Sequence, residues 1–93
     1  MKEPFGKTEA LKHIQEIRQN GSIVYSGHAK KEMAEEGITT LDVVNVLRCG
    51  KIKEEAELEN GTYRYRVHTV RMCVVVAFAD KRELRIVTAW RKQ

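Results

Sequence analysis

Leu58-Glu59-Asn60-Gly61-Thr62-Tyr63-Arg64-Tyr65-Arg66-Val67-His68 reads as two strands folded about a two-residue turn. Asn60-Gly61 decides it, because a two-residue hairpin loop needs positive φ at its central positions and Asn followed by Gly tolerates that best. With those two as the loop, Leu58 faces Tyr63, Glu57 faces Arg64, Ala56 faces Tyr65 and Glu55 faces Arg66. One face then carries Ile52, Ala56, Leu58, Tyr63, Tyr65 and Val67. The other sets Glu57 and Glu55 against Arg64 and Arg66, with Lys53 near His68. A one-residue slip would break both sets, so the register is specified.

Downstream, Met72 to Ala79 is apolar at every position, the pattern of a central strand covered on both faces. Asp80 to Glu83 makes a turn and Leu84 to Trp90 a last strand. The join from Val70 to Met72 holds no Gly, Pro or Asn, and its turn type is not legible. Upstream of Lys51 the period changes from two to that of a helix. Thr8 is placed to cap a first helix with Leu11, Ile14 and Ile17 on one side, and Asn20-Gly21 ends it. Ile23-Val24-Tyr25 is a short edge strand. Ser26 caps a second helix, with Ala29, Met33 and Ala34 as apolar contacts, that stops at Gly37. Thr39 and Asp42 have the spacing of a capping box, and Ile38 is placed to staple onto Val43. The third helix buries Val43, Val44, Val46 and Leu47 and ends at Gly50. The expected fold is α+β, with N-terminal helices packed on a C-terminal antiparallel sheet, in one domain over residues 1–93.

The net charge of +4 is unevenly spread. Residues 63–93 hold eight basic groups against two acidic ones, whereas residues 1–62 hold nine against eleven. A basic sheet half suits a polyanion or an acidic protein partner. Cys49 and Cys73 have no metal-ligand spacing and read as free, buried or half-buried thiols of a reducing compartment. Met1 to Gly6 has no apolar stretch behind it, so no signal peptide is expected, and the run 72–79 is too short for a membrane helix. A cytoplasmic protein without membrane contact is expected. No metal site and no cofactor are expected either, since Gly-rich phosphate loops and paired His/Cys spacings are missing.

His28 follows the Ser26 cap by two residues and sits in a first helical turn, where the helix dipole favours a neutral imidazole or a bound anion. There it suits a general base toward an RNA 2′-hydroxyl. A structural histidine bonded near Tyr25 is the competing reading. Arg64, Arg66 and His68 share one strand face by alternation, a set suited to gripping phosphate and protonating a leaving oxygen. The cross-strand glutamates pair both arginines, which leaves His68 the freest of the three. Arg85 and Arg91 extend the same basic face. Ser26 and Thr88 read as cap and strand residues rather than nucleophiles.

The stretch Ile23-Val24-Tyr25-Ser26-Gly27-His28-Ala29-Lys30-Lys31-Glu32-Met33-Ala34-Glu35-Glu36-Gly37-Ile38-Thr39, with Asp42-Val43, Cys49-Gly50, Tyr63-Arg64-Tyr65-Arg66 and Ile86-Val87-Thr88, resembles a bacterial domain-of-unknown-function family marked by Ser-Gly-His-Ala. The resemblance spans roughly residues 22–89. That family is related to the RelE/MqsR/BrnT-like toxins of toxin–antitoxin systems, many of which cleave mRNA without a metal until an antitoxin binds them. The resemblance implies a RelE-like fold, functional weight on His28 and Arg66, and RNA and a cognate antitoxin, with zinc-binding antitoxins among the candidates, as partners. Two expectations follow. In the first the chain is a toxin-like endoribonuclease, with His28, Arg66 and His68 catalytic and Arg64, Arg85 and Arg91 on the RNA. In the second it is a non-catalytic RNA- or antitoxin-binding module. The glutamate ladder motivates the second, as do Glu32 and Glu36, which stand where the family often carries arginine.

Overall fold

The chain runs α1 (Lys7–Asn20), β1 (Ser22–Tyr25), α2 (Gly27–Glu36), α3 (Thr40–Cys49), β2 (Glu57–Glu59), β3 (Thr62–His68), β4 (Met72–Asp80) and β5 (Glu83–Arg91) in a computed structural model that describes residues 2–93. Met1, the first residue of the segment expected to hold no signal peptide, lies outside the described residues. Among the described residues no helix is long and apolar enough to cross a membrane.

Local chemistry sets most boundaries. Ser26 caps α2 by accepting the Ala29 N–H, and Gly37 ends that helix in the left-handed region at φ 65°. Thr39 and Asp42 form the reciprocal capping box of α3. The start of α1 differs from expectation: Gly6 is the N-cap, without a side-chain bond, and Thr8 lies inside the helix. Asn60 and Gly61 take φ of 51° and 78° and close the hairpin, with Leu58 opposite Tyr63 and Glu57 opposite Arg64. The β3–β4 turn needs no glycine, since neither Val70 nor Arg71 has positive φ; the Thr69 hydroxyl instead accepts the Met72 N–H.

The sheet has the order β1-β5-β4-β3-β2, so β4 is central, and Met72 to Phe78 are all buried. Four strands are antiparallel, whereas β1 adds to β5 in parallel. The end of α1 decides this. Gly21 lies against the Arg82 carbonyl with no room for a Cβ, and Ser22 N–H donates to that carbonyl. The chain therefore enters beside the start of β5 and has to climb alongside it.

Two irregularities shape the sheet. β2 is three residues long, not a strand from Ile52 onward. Lys51 pairs with His68, so the chain takes six steps from Lys51 to Glu57 while β3 takes four from His68 to Arg64. The two surplus residues arch out, with Ile52 drawn into the core. In β5, Ile86 pairs with Val76 and Thr88 with Val75, which leaves Val87 as the surplus residue of a bulge. α1, α3 and the buried side of α2 cover one sheet face through Ile14, Ile17, Met33, Val43, Val46 and Leu47, packed with Tyr65, Val67, Val74, Val76 and Ile86.

Candidate functional site

Cys73, Val75 and Ala77 are buried yet belong to no part of that core cluster, because they point from β4 to the opposite face. Register places Arg66 beside Val75 and His68 beside Cys73 on one flank, and Arg85, Thr88 and Trp90 beside Ala77, Val75 and Cys73 on the other. Short side chains on the middle strand between long ones on its neighbours make a trough. Among the described residues no helix lies across it; α2 packs at its rim, along β5.

One end of the trough deepens into a groove of about 310 Å³ lined by Ser26, His28, Thr62, Arg64, Arg85 and Val87, with Ala77 as floor. Three elements build it. The Ser26 hydroxyl accepts the Ala29 N–H at 3.0 Å and donates to the Val87 carbonyl at 3.0 Å. That pins the start of α2 to the bulge of β5 and sets His28 over the groove. Ser26 is thus fully used as a cap, as expected. His28 is exposed and makes no side-chain hydrogen bond among the described residues, so the bond to the Tyr25 region does not form. Arg85 joins none of the ion pairs of the described residues. Arg64 places Nη1 3.2 Å from Glu59, and its buried Nε has no partner among the described residues.

The register of the glutamate ladder is as expected, but its ion pairs run diagonally. Arg64 pairs with Glu59, Arg66 Nε pairs with Glu57 at 3.0 Å, and Glu55 turns away to Lys7.

His68 is the clearest departure from the sequence-based expectation. It is the most confined of the three rather than the freest, with a side chain only 10% exposed and Nε2 2.8 Å from Glu54 Oε1. The arch between Lys51 and Glu57 displaces Lys53 and brings Glu54 back over the imidazole. Burial would raise the Glu54 carboxyl, but the hydrogen bond and charge of His68 outweigh it and hold the carboxyl below its ordinary value. Cys73 opposite His68 has its thiol pushed up to about 11 by burial, which leaves it unreactive. Cys49 is exposed, not half-buried.

Arg91 leaves the basic face altogether. It pairs with core-facing Met72, and its guanidinium donates to the carbonyls of Glu36 and Gly37, both at 3.0 Å. Strict alternation from Arg85 would put Arg91 on the open face, and the Val87 bulge reverses that parity. Glu36 accepts the Arg91 backbone N–H instead of pairing with a trough arginine.

The structure thus gathers His28, Arg64 and Arg85 in one groove, sets Arg66 and His68 farther along the same face, and removes Arg91. Sequence reasoning missed Thr62, Glu54 and Trp90. Thr62 was within reach, since it shares parity with Arg64; Trp90 was hidden by the bulge and Glu54 by the arch. The family described as Domain of unknown function (DUF4258) matches residues 25–91, from the end of β1 through β5. No curated protein and no solved structure matches the chain.

Proposed function

This chain belongs to the family described as Domain of unknown function (DUF4258), and from the groove on its open sheet face we propose that it cleaves RNA as the toxin of a toxin–antitoxin pair. The observation that carries this reading is the convergence of an unpartnered histidine and two arginines from three elements on one groove. His28 takes the proton of a ribose 2′-hydroxyl, and the resulting alkoxide attacks the adjacent phosphorus. The bond to the 5′-oxygen breaks, that oxygen takes a proton from water, and a 2′,3′-cyclic phosphate remains. Arg64 and Arg85 balance the charge that builds on the phosphoryl oxygens. Arg66, farther along the face, holds the strand, and His68, covered by Glu54, moves no proton.

The resemblance of the Ser-Gly-His-Ala stretch, which implies a relation to RelE/MqsR/BrnT-like toxins, favours the same reading, and an antitoxin with an acidic segment suits the basic trough. The carboxylates of Glu54, Glu57 and Glu59 on His68, Arg66 and Arg64 favour a second reading, a module that binds RNA or antitoxin without cutting.

Expression of the chain alone in a bacterium, with growth followed, separates the two when joined to a cleavage assay in the presence of chelator. Growth arrest and chelator-resistant cleavage are expected. His28→Ala should lower the rate by about 100- to 10,000-fold, the usual loss of a general base. Its melting temperature should not move, because His28 is exposed and unbonded. Normal growth with intact RNA would leave only the binding reading.

A further inference from the structure

Trp90 is the only tryptophan of the chain, and it is half-buried on the open face, opposite Cys73 and in the same cross-strand row as His68. It contributes nothing to the core. The packed aromatic cluster of Phe5, His13, Tyr65 and Phe78 excludes it, as does the set of partly buried side chains resting on the core. An indole that rests outside the core keeps part of its ring in water, which is costly to hydrate, on a face that also carries Arg66 and Arg85. The groove of His28, Arg64 and Arg85 lies at Ala77, four residues along β4 from Cys73, a separation of ~13 Å at the rise of a strand. Arg66, whose Nε pairs with Glu57 while the side chain stays 41% exposed, stands between the two.

We infer that Trp90 is the stacking platform for a base flanking the reacting phosphodiester, which makes the trough a site for single-stranded RNA. This rests on the reading of the open face as an RNA site and adds the strandedness of the substrate. Every base has a π-face, so stacking on an indole tolerates any sequence, while the cationic flanks follow the backbone. A base inside a duplex is already stacked on its neighbours and cannot turn out onto the ring without being unpaired. The polar walls hold phosphate and the indole holds base, an alternation that suits a flexible single strand and not an A-form helix.

A 2′-O-methylated oligoribonucleotide tests this, because its blocked 2′-oxygen cannot attack and binding is read apart from cleavage. Titrated into the wild-type protein, the single strand should quench the emission of the sole tryptophan, and its blunt duplex should not. Trp90→Ala should weaken single-strand affinity by roughly tenfold to a hundredfold, the worth of one stacked base, and Trp90→Phe should retain most of it. Should Trp90→Ala fail to fold by circular dichroism, the wild-type titration and Trp90→Phe decide alone. Absence of single-strand binding, binding without a change in emission, or equal affinity of wild type and Trp90→Ala would each overturn the proposal. RNA cleavage indifferent to Trp90→Ala would sink stacking and leave the ribonuclease standing. Quenching and weakened binding without any cleavage of unmodified RNA would do the reverse.

Discussion

At position 91 the guanidinium donates to two carbonyls at the end of α2, while at position 85 it projects unpaired into the groove. Both are arginines of one strand, and their substitutions should separate cleanly. Arg91→Ala should cost about 1 kcal/mol of stability, since its bonds are charge-assisted but solvent-exposed, and leave RNA affinity nearly unchanged. Arg85→Ala should weaken RNA binding without moving the melting curve. Thermal melts beside binding titrations check both, and a loss of binding in the Arg91 variant equal to that at Arg85 would contradict the placement. Glu54 carries a pH signature. Its carboxyl is lowered in the fold, so the ionised form stabilises the protein above the ordinary value of 4.5, and that contribution disappears as pH falls through the lowered value. Glu54→Gln should therefore flatten the fall of stability with acid below about pH 4.5 relative to wild type. Denaturant melts at a series of pH values measure it, and parallel curves for the two proteins would count against the Glu54–His68 pair.

Among the elements, the hairpin and the two capped helices were readable because their determinants are local. Asn60-Gly61, Ser26 and the Thr39–Asp42 pair each act within four residues, and all three appear where the residues put them. Gly61 stands at φ 78° with open space around it, so only backbone strain opposes a side chain there. Gly61→Ala should destabilise by about 1 kcal/mol through the left-handed penalty, with no packing contribution. A melting temperature equal to wild type would mean that the turn relaxes to another type. The length of β2 was not readable, because Ile52 alternates as a strand residue should, yet its burial in the core pulls the chain off the ladder. The start of α1 was misplaced for a lesser reason: Thr8 is a good cap by type, but the helix begins before it, at Lys7.

Across the whole molecule, the sheet divides a covered face from an open one, and β4 serves both. Val76 is fully buried in the core, so Val76→Asp would bury a charge with no partner and should prevent soluble folding. Soluble yield and circular dichroism test this, and a native-like melt for that variant would refute the central position of β4. The His28 groove is likewise a property of the whole, since its walls come from α2, β3 and β5. The residues of the groove could be nominated singly from charge, alternation and a helix start, but their meeting could not.

The sequence by itself determined the α+β order, the hairpin register, the two side-chain caps and the buried central strand, because each follows from periodicity or from residues in chain contact with one another. Tertiary structure alone decided that Arg91 leaves the basic face, while Arg64, Arg66 and Arg85 keep the place that alternation gives them. The surplus residue at Val87 reverses parity along β5, sending Trp90 to the open face and Arg91 to the α2 terminus. The surplus pair before Glu57 brings Glu54 onto His68. No residue type announces either irregularity. A bulge appears where a strand must match partners on both edges, and here β5 has to pair with β4 while its Val87 carbonyl receives Ser26 from α2. That constraint exists only once distant parts of the chain have met.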